Sequence, residues 1–100
     1  VEAVSGDTTA PVYVSSVVEN ITPSTLVMTY DEALDNTSVP ATTDFSVSDG
    51  AANAVTNVDV TTTDVTLTLT NAIWSGDTVT VSYTKGANPI QDSATNESIN

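Results

Sequence analysis

The side chains of this sequence that could do chemistry are almost all carboxylates. Thirteen Asp and Glu residues face a single base, Lys85, and there is neither His nor Cys. The commonest general base and metal-nitrogen ligand is therefore missing, as are thiolate chemistry, a disulfide framework and a Cys-based zinc site. The Ser residues have no His to activate them. A paired-carboxylate hydrolase also needs a substrate cleft that a domain this small rarely encloses. The sequence predicts a protein that is not an enzyme, and any metal it holds must be bound through oxygen.

Oxygen ligands suit calcium, which takes about six to eight of them from carboxylates, amides, carbonyls and water. The candidates fall in separated groups: Asp7; Asp31, Glu32 and Asp35; Asp64; and Asp92, Asn96 and Glu97. No group is sufficient alone. The run Asp31 to Asn36 is not an EF-hand, because it lacks Gly at the sixth position and the correctly placed final Glu. A calcium shell here requires a fold that brings distant segments to one point.

The elements that must do this read as strands. Leu26, Met28 and Tyr30 alternate with Val27 and Thr29, Val65, Leu67 and Leu69 with Thr residues, and Val79, Val81 and Tyr83 with Thr80 and Ser82. This period of two marks half-buried strands, and Val12 to Val18, Phe45 to Val47 and Val55 to Val60 add three more. A seventh is expected at Glu97 to Asn100 or Val1 to Val4. Turn residues separate them at Asn20 to Ser24, Asp49-Gly50, Thr61 to Asp64, Ser75 to Asp77 and Lys85 to Pro89. Asp31 to Thr43 reads as a loop with at most a short helix. Regular strand spacing over 100 residues predicts one all-β domain, an antiparallel sandwich of about seven strands.

If consecutive strands run alternately up and down, the start of the first strand, the end of the second and the end of the sixth share one tip. That tip collects Asp7, Asp31, Glu32, Asp35, Asp64, Asp92 and Asn96, and Asp7, Asp31, Glu32, Asp92 and Asn96 are the predicted calcium ligands. The competing account is that Asp residues at turns cap backbone amides with no metal. Tyr30 and Tyr83 are at inward phase and are expected in the core. Trp74, in a turn, is expected to cover the open end of the sandwich or dock against a following domain.

A formal net charge of -12 repels phosphate backbones and anionic membranes, so nucleic-acid and membrane partners are not expected. The hydrophobic share of 39% nevertheless supplies a core that a disordered acidic chain would lack. No window approaches the roughly 20 apolar residues of a membrane span, and the first residues have no signal-peptide pattern. Export is then expected to be encoded outside residues 1–100.

Four segments carry a family resemblance: Asp7 to Pro11 before the first strand, Leu26 to Asp35, Gly76 to Thr84, and Asn88 to Asn96. Together they resemble the immunoglobulin-like repeats of giant bacterial surface proteins, such as repeat-in-toxin adhesins and the cyanobacterial swimming-motility surface protein. The resemblance implies a tandem extender domain on the cell surface or outside the cell, stiffened by calcium at or near junctions with neighbouring repeats and monomeric in isolation. Any glycan or host-surface ligand would then be bound through other domains. It also implies that residues 1–6 are a linker from a preceding repeat or an edge strand, with the domain at 7–100. The family usually has Gly just before the Asn at position 96; this sequence has Thr95, where a positive φ would be costly. Two other function classes remain open: a module recognising glycan, ice or a host protein, and an acidic spacer with no ion site.

Overall fold

The computed structural model describes residues 9–98 apart from Ser75. Within them the alternating segments form six strands: β1 Tyr13–Val18, β2 Thr25–Tyr30, β3 Phe45–Ser48, β4 Val55–Thr61, β5 Asp64–Leu69 and β6 Thr80–Tyr83. The expected all-β architecture is what forms. Four strands make one sheet in the order β1-β2-β5-β4, and β3 pairs with β6 in the second; every pairing is antiparallel. The seventh strand expected at either terminus, the 1–6 linker and Asp7 fall wholly or mostly outside the described residues. Glu97, which is described, bridges Gln91 in antiparallel fashion.

β2 and β5 form the middle of the larger sheet, and both bury every second residue: Leu26, Met28 and Tyr30 from one, Val65, Leu67 and Leu69 from the other. Their register sets Leu26 opposite Leu67 and Met28 opposite Val65, so apolar pairs stack on one face while Thr25, Thr29, Thr66 and Thr68 stay on the wetter face. Phe45 and Val47 of β3 and Tyr83 of β6 close the core from the second sheet, with Leu34 and Ile90 added from loops. Phe45 and Tyr83 stand opposite each other in register, their rings 5.1 Å apart.

Two irregularities have local causes. In β4 the register shifts between Val55 and Asn57, a bulge that moves the inward phase from odd to even, so that Val55 and Val58 are both half-buried. The long connection after β2 forms no helix at Asp31 to Asp35; its one helical feature is a 3₁₀ turn at Thr42–Asp44, leading into β3. β1 differs from its neighbours, since only Val18 is partly buried.

Tyr30 and Tyr83 are core residues, as their phase predicts. Burial pushes the Tyr30 hydroxyl up to about 12 from its ordinary 10, and burial raises Tyr83 in the same direction. A phenol whose folded value lies above its unfolded one stabilises the fold fully below the unfolded value and loses that contribution as pH rises through the folded value. Unfolding free energy is therefore expected to fall between about pH 10 and pH 12, and Tyr30→Phe to flatten that decline, as read from urea titrations across this range. Leu67 has no exposed surface. Leu67→Ala should cost about 3 kcal/mol in the same assay, against under about 1 kcal/mol for Thr66→Ala.

Candidate functional site: the acidic tip

The antiparallel pairings place the start of β1, the end of β2, the β4–β5 turn and the end of β6 at one end of the sandwich. Backbone bonds tie the loops there. Asp31 N donates to Val12 O at 3.0 Å, Leu34 N to Thr62 O at 2.6 Å, Asp35 N to Gln91 O at 2.7 Å, and Thr84 N to Asp44 O at 2.8 Å. The up-and-down count made from the sequence thus describes the real arrangement of these loops.

Within the tip the carboxylates have separate tasks. Asp31 is exposed and its Oδ1 accepts from Val12 N at 2.9 Å, so it fixes the start of β1 to the end of β2. Asp35 accepts from the Thr37 hydroxyl at 2.6 Å and the Thr37 amide at 3.0 Å, and through Oδ2 from Gln91 Nε2 at 3.1 Å. Those bonds, from the Thr37 side chain foremost, hold its carboxyl below the usual carboxylate value. Ser38 crosses to the same final loop, donating from Oγ to Pro89 O at 2.7 Å. Glu32 is half-buried beside Asp31.

Asp92 is 2% exposed, and its carboxylate organises its own loop. Oδ1 accepts from Ala94 N at 3.0 Å and Asn96 N at 2.9 Å, while Oδ2 accepts from Asn96 Nδ2 at 3.0 Å. Backbone bonds from Thr95 N to Asp92 O and from Asp92 N to Asn96 O close the ring at 3.0 and 3.1 Å. A buried carboxylate surrounded by donors is well compensated, and charge-assisted bonds of this kind are the stronger ones. Thr95 sits within the ring at φ +66°, the left-handed conformation that a β-branched residue adopts at a cost.

Of the predicted ligands, then, Asp92 and Asn96 are brought together, Asp31 and Glu32 lie on a neighbouring loop, and Asp7 is outside the described residues. Among the described residues no group of three or more His, Cys, Asp or Glu side chains is close enough to hold a metal ion. The capping account of turn aspartates describes Asp35 and Asp92, and also Asp77, whose Oδ2 accepts from Trp74 N at 2.9 Å. Trp74 itself is 73% exposed, so it does not cover the end of the sandwich; Ile73 packs against the core in its place.

Two polar residues at this fold's ends were not legible in advance. Asn53 is buried and staples the far end, donating to Asn71 O at 2.9 Å and accepting from Asn71 N at 3.0 Å. Asp44 lies under Gly86, where an added Cβ would meet its Oδ2 at 2.8 Å, and that oxygen is buried without a hydrogen-bond partner. Asn in an Ala-rich turn and Asp before a strand carry no spacing signal. Lys85 donates to Glu97 at 2.9 Å, but both side chains are nearly half exposed, so the pair contributes little.

The model of the family described as "Putative flagellar system-associated repeat" matches residues 6–88. The chain belongs to this repeat family. Among solved structures it is similar to the N-terminal part of the bacterial S-layer protein SbsC, at a TM-score of 0.69 and 18% identity over 90% of this chain. At that identity the likeness concerns the fold, and this chain spans only 21% of the S-layer chain. No curated protein matches the sequence. The family match makes the chain a repeat domain, and the structural likeness concerns its fold.

The Asp92 ring generates a prediction with two arms. Asp92→Ala removes the acceptor that the part-buried amides of Ala94 and Asn96 share and should cost about 2 kcal/mol in thermal unfolding, in EDTA as well as in calcium. Thr95→Gly relieves the left-handed strain and should stabilise by about 0.5–1 kcal/mol in the same measurement.

Proposed function

We propose that this domain is an extender repeat of a secreted or surface-anchored bacterial adhesin-like protein, mechanical and not catalytic, with neighbouring repeats of the same chain as its partners. The reading rests on one observation: the two ends of the sandwich differ in chemistry. One end is the acidic tip. The other carries Ile21, 87% exposed in the β1–β2 turn, and Trp74, exposed in the β5–β6 loop, and these loops are joined by a 2.7 Å bond from Ile73 N to Pro23 O. Ile21 and Trp74 are the most exposed of the large apolar side chains described; such side chains are suited to a neighbour that covers them, and unlike ends favour head-to-tail over head-to-head stacking. The family match and the resemblance to immunoglobulin-like surface repeats support the same role.

Calcium is the ion we assign to the junction. The described acidic side chains do not assemble a full shell, and both Asp92 oxygens already serve the loop. Asp31 and Glu32 would therefore be completed by Asp7, by carbonyls and water, or by the adjoining repeat, with Asp92 and Asn96 shaping the loop beside them. Such a shared site should be weak, with a Kd of about 10⁻⁴ to 10⁻³ M, as in other extracellular modules. Neutralising part of a net charge of -12 also relieves self-repulsion.

Two copies joined in tandem provide the test, because Trp74 is the single Trp of each copy. In millimolar calcium the tandem protein should show a higher Tm and a blue-shifted Trp emission relative to EDTA or matched magnesium, and Asp31→Asn with Glu32→Gln should remove the calcium response. Identical curves in calcium and magnesium would reduce the domain to an acidic spacer. Binding of the isolated domain in a glycan screen would move it to the class of recognition modules.

A further inference from the structure

The two strands that bound the larger sheet are finished differently. β4 carries Asp59 on its outer face, and the 3₁₀ turn packs beside it. Both are devices that keep a sheet edge from pairing with another chain. β1 has neither. Among the described residues it pairs with β2 alone, and Tyr13–Val18 contains no charged residue and no Pro. Tyr13, Val14 and Val17 are 46 to 58% exposed, so this edge offers apolar side chains beside its row of backbone groups.

A bulge gives this edge a symmetry that the bare sequence lacks. Tyr13 stands opposite Tyr30 and Ser15 opposite Thr29, so Val14 is the extra residue and the six residues of β1 occupy five register positions. Ser16, opposite Met28, is the central position. One step away lie Ser15, with Val14 beside it, and Val17; two steps away lie Tyr13 and Val18. Their partners Met28, Leu26 and Tyr30 are buried in the core, so Ser16, Val18 and Tyr13 share the inward face, and Ser15 and Val17 share the outward one.

We propose that β1 is a self-pairing edge: its partner is β1 of a second copy, antiparallel and related by a two-fold axis through Ser16. Antiparallel pairing requires residues directly opposite each other to share a face. Centred at Ser16, every pair does. Ser16 meets Ser16 of the second copy, Val17 meets Ser15 with Val14, and Tyr13 meets Val18, so the two larger sheets continue as one through an isologous contact. The strip is neutral in a chain of net charge -12, which lets a like-charged copy approach it and gives a cationic partner nothing to pair with. At low salt the charge on each copy opposes the contact and keeps single domains apart. Between two arrays, one such contact raises the effective concentration for the next. The contact uses the side of the sandwich and leaves both poles free. It rests on the edge of β1 and not on the extender reading.

The test uses the 100-residue chain, which has no Cys of its own. In sedimentation it should be monomeric at low salt and form a concentration-dependent dimer in about 1 M NaCl, where the Debye length falls to about 3 Å. Opposed Cα atoms of an antiparallel pair, about 4.5–5.5 Å apart, are within disulfide reach, so Ser16→Cys should link into dimers at least about tenfold faster than Ser46→Cys, exposed on β3. Val14→Lys with Val17→Lys sets like charges opposite each other and should abolish the dimer, as should Val14→Glu with Val17→Glu, while mixing the two variants should restore it. Both sites are exposed, and an unchanged urea midpoint checks that each variant keeps its fold. A chain that stays monomeric at high salt, a dimer that both double variants keep, or equal linking at Ser16 and Ser46 would overturn the proposal. So would protection of every β1 amide from exchange in the monomer, which would give the edge to another segment of the same chain. None of these outcomes touches the extender reading, which the tandem measurement of Trp74 decides.

Discussion

The antiparallel pairing of β2 with β5 is the interaction on which the rest of this domain depends. Both strands bury alternate residues without interruption, and their register makes one continuous apolar face of Leu26, Met28, Tyr30, Val65, Leu67 and Leu69. A shift of one residue would turn this whole set to solvent. β1 and β4 hang on the two sides of this pair, and β3 and β6 lie across its apolar face. Because both central strands run their full length, their ends also define the two poles of the sandwich, and every loop is assigned to one pole or the other.

The poles are built differently. At the acidic one, carboxylates are spent on order: Asp31 fixes the start of β1, Asp35 joins the β2–β3 connection to the final loop, and Asp92 closes a ring of amides that holds Thr95 in a conformation it would not choose alone. Strain at Thr95 persists because several hydrogen bonds over-determine that loop. At the far pole, buried Asn53 plays the stapling part, bonding to the Asn71 backbone and to Asp49, and Ile21 and Trp74 are left in solvent. For a repeat that meets its neighbours end to end, this asymmetry supplies an orientation.

High acidity and a well-formed core coexist because the charges stay outside the alternation. Few of the strand positions are acidic, and those are at edges or ends, as with Asp59 on the outer face of β4 and Asp64 at the first position of β5. The core is therefore indifferent to the charge, while the tip is not.

The sequence by itself determined the strands, their inward phase and the sorting of loops between the poles, because a period of two and turn residues are local signals and up-and-down succession is a short-range rule. It identified Tyr30 and Tyr83 as core and gathered Asp31, Glu32, Asp92 and Asn96 at one tip. Only the tertiary structure decided what those oxygens do, since a carboxylate reads the same whether it meets an amide or a cation. Asp92 is engaged by amides of its own loop, Trp74 is exposed, which leaves docking and not covering of the two roles its turn suggested, and Asn53 and Asp44 acquire their roles from partners 18 and more residues away. Such pairings depend on distances between segments remote in sequence, which no local pattern of residues encodes.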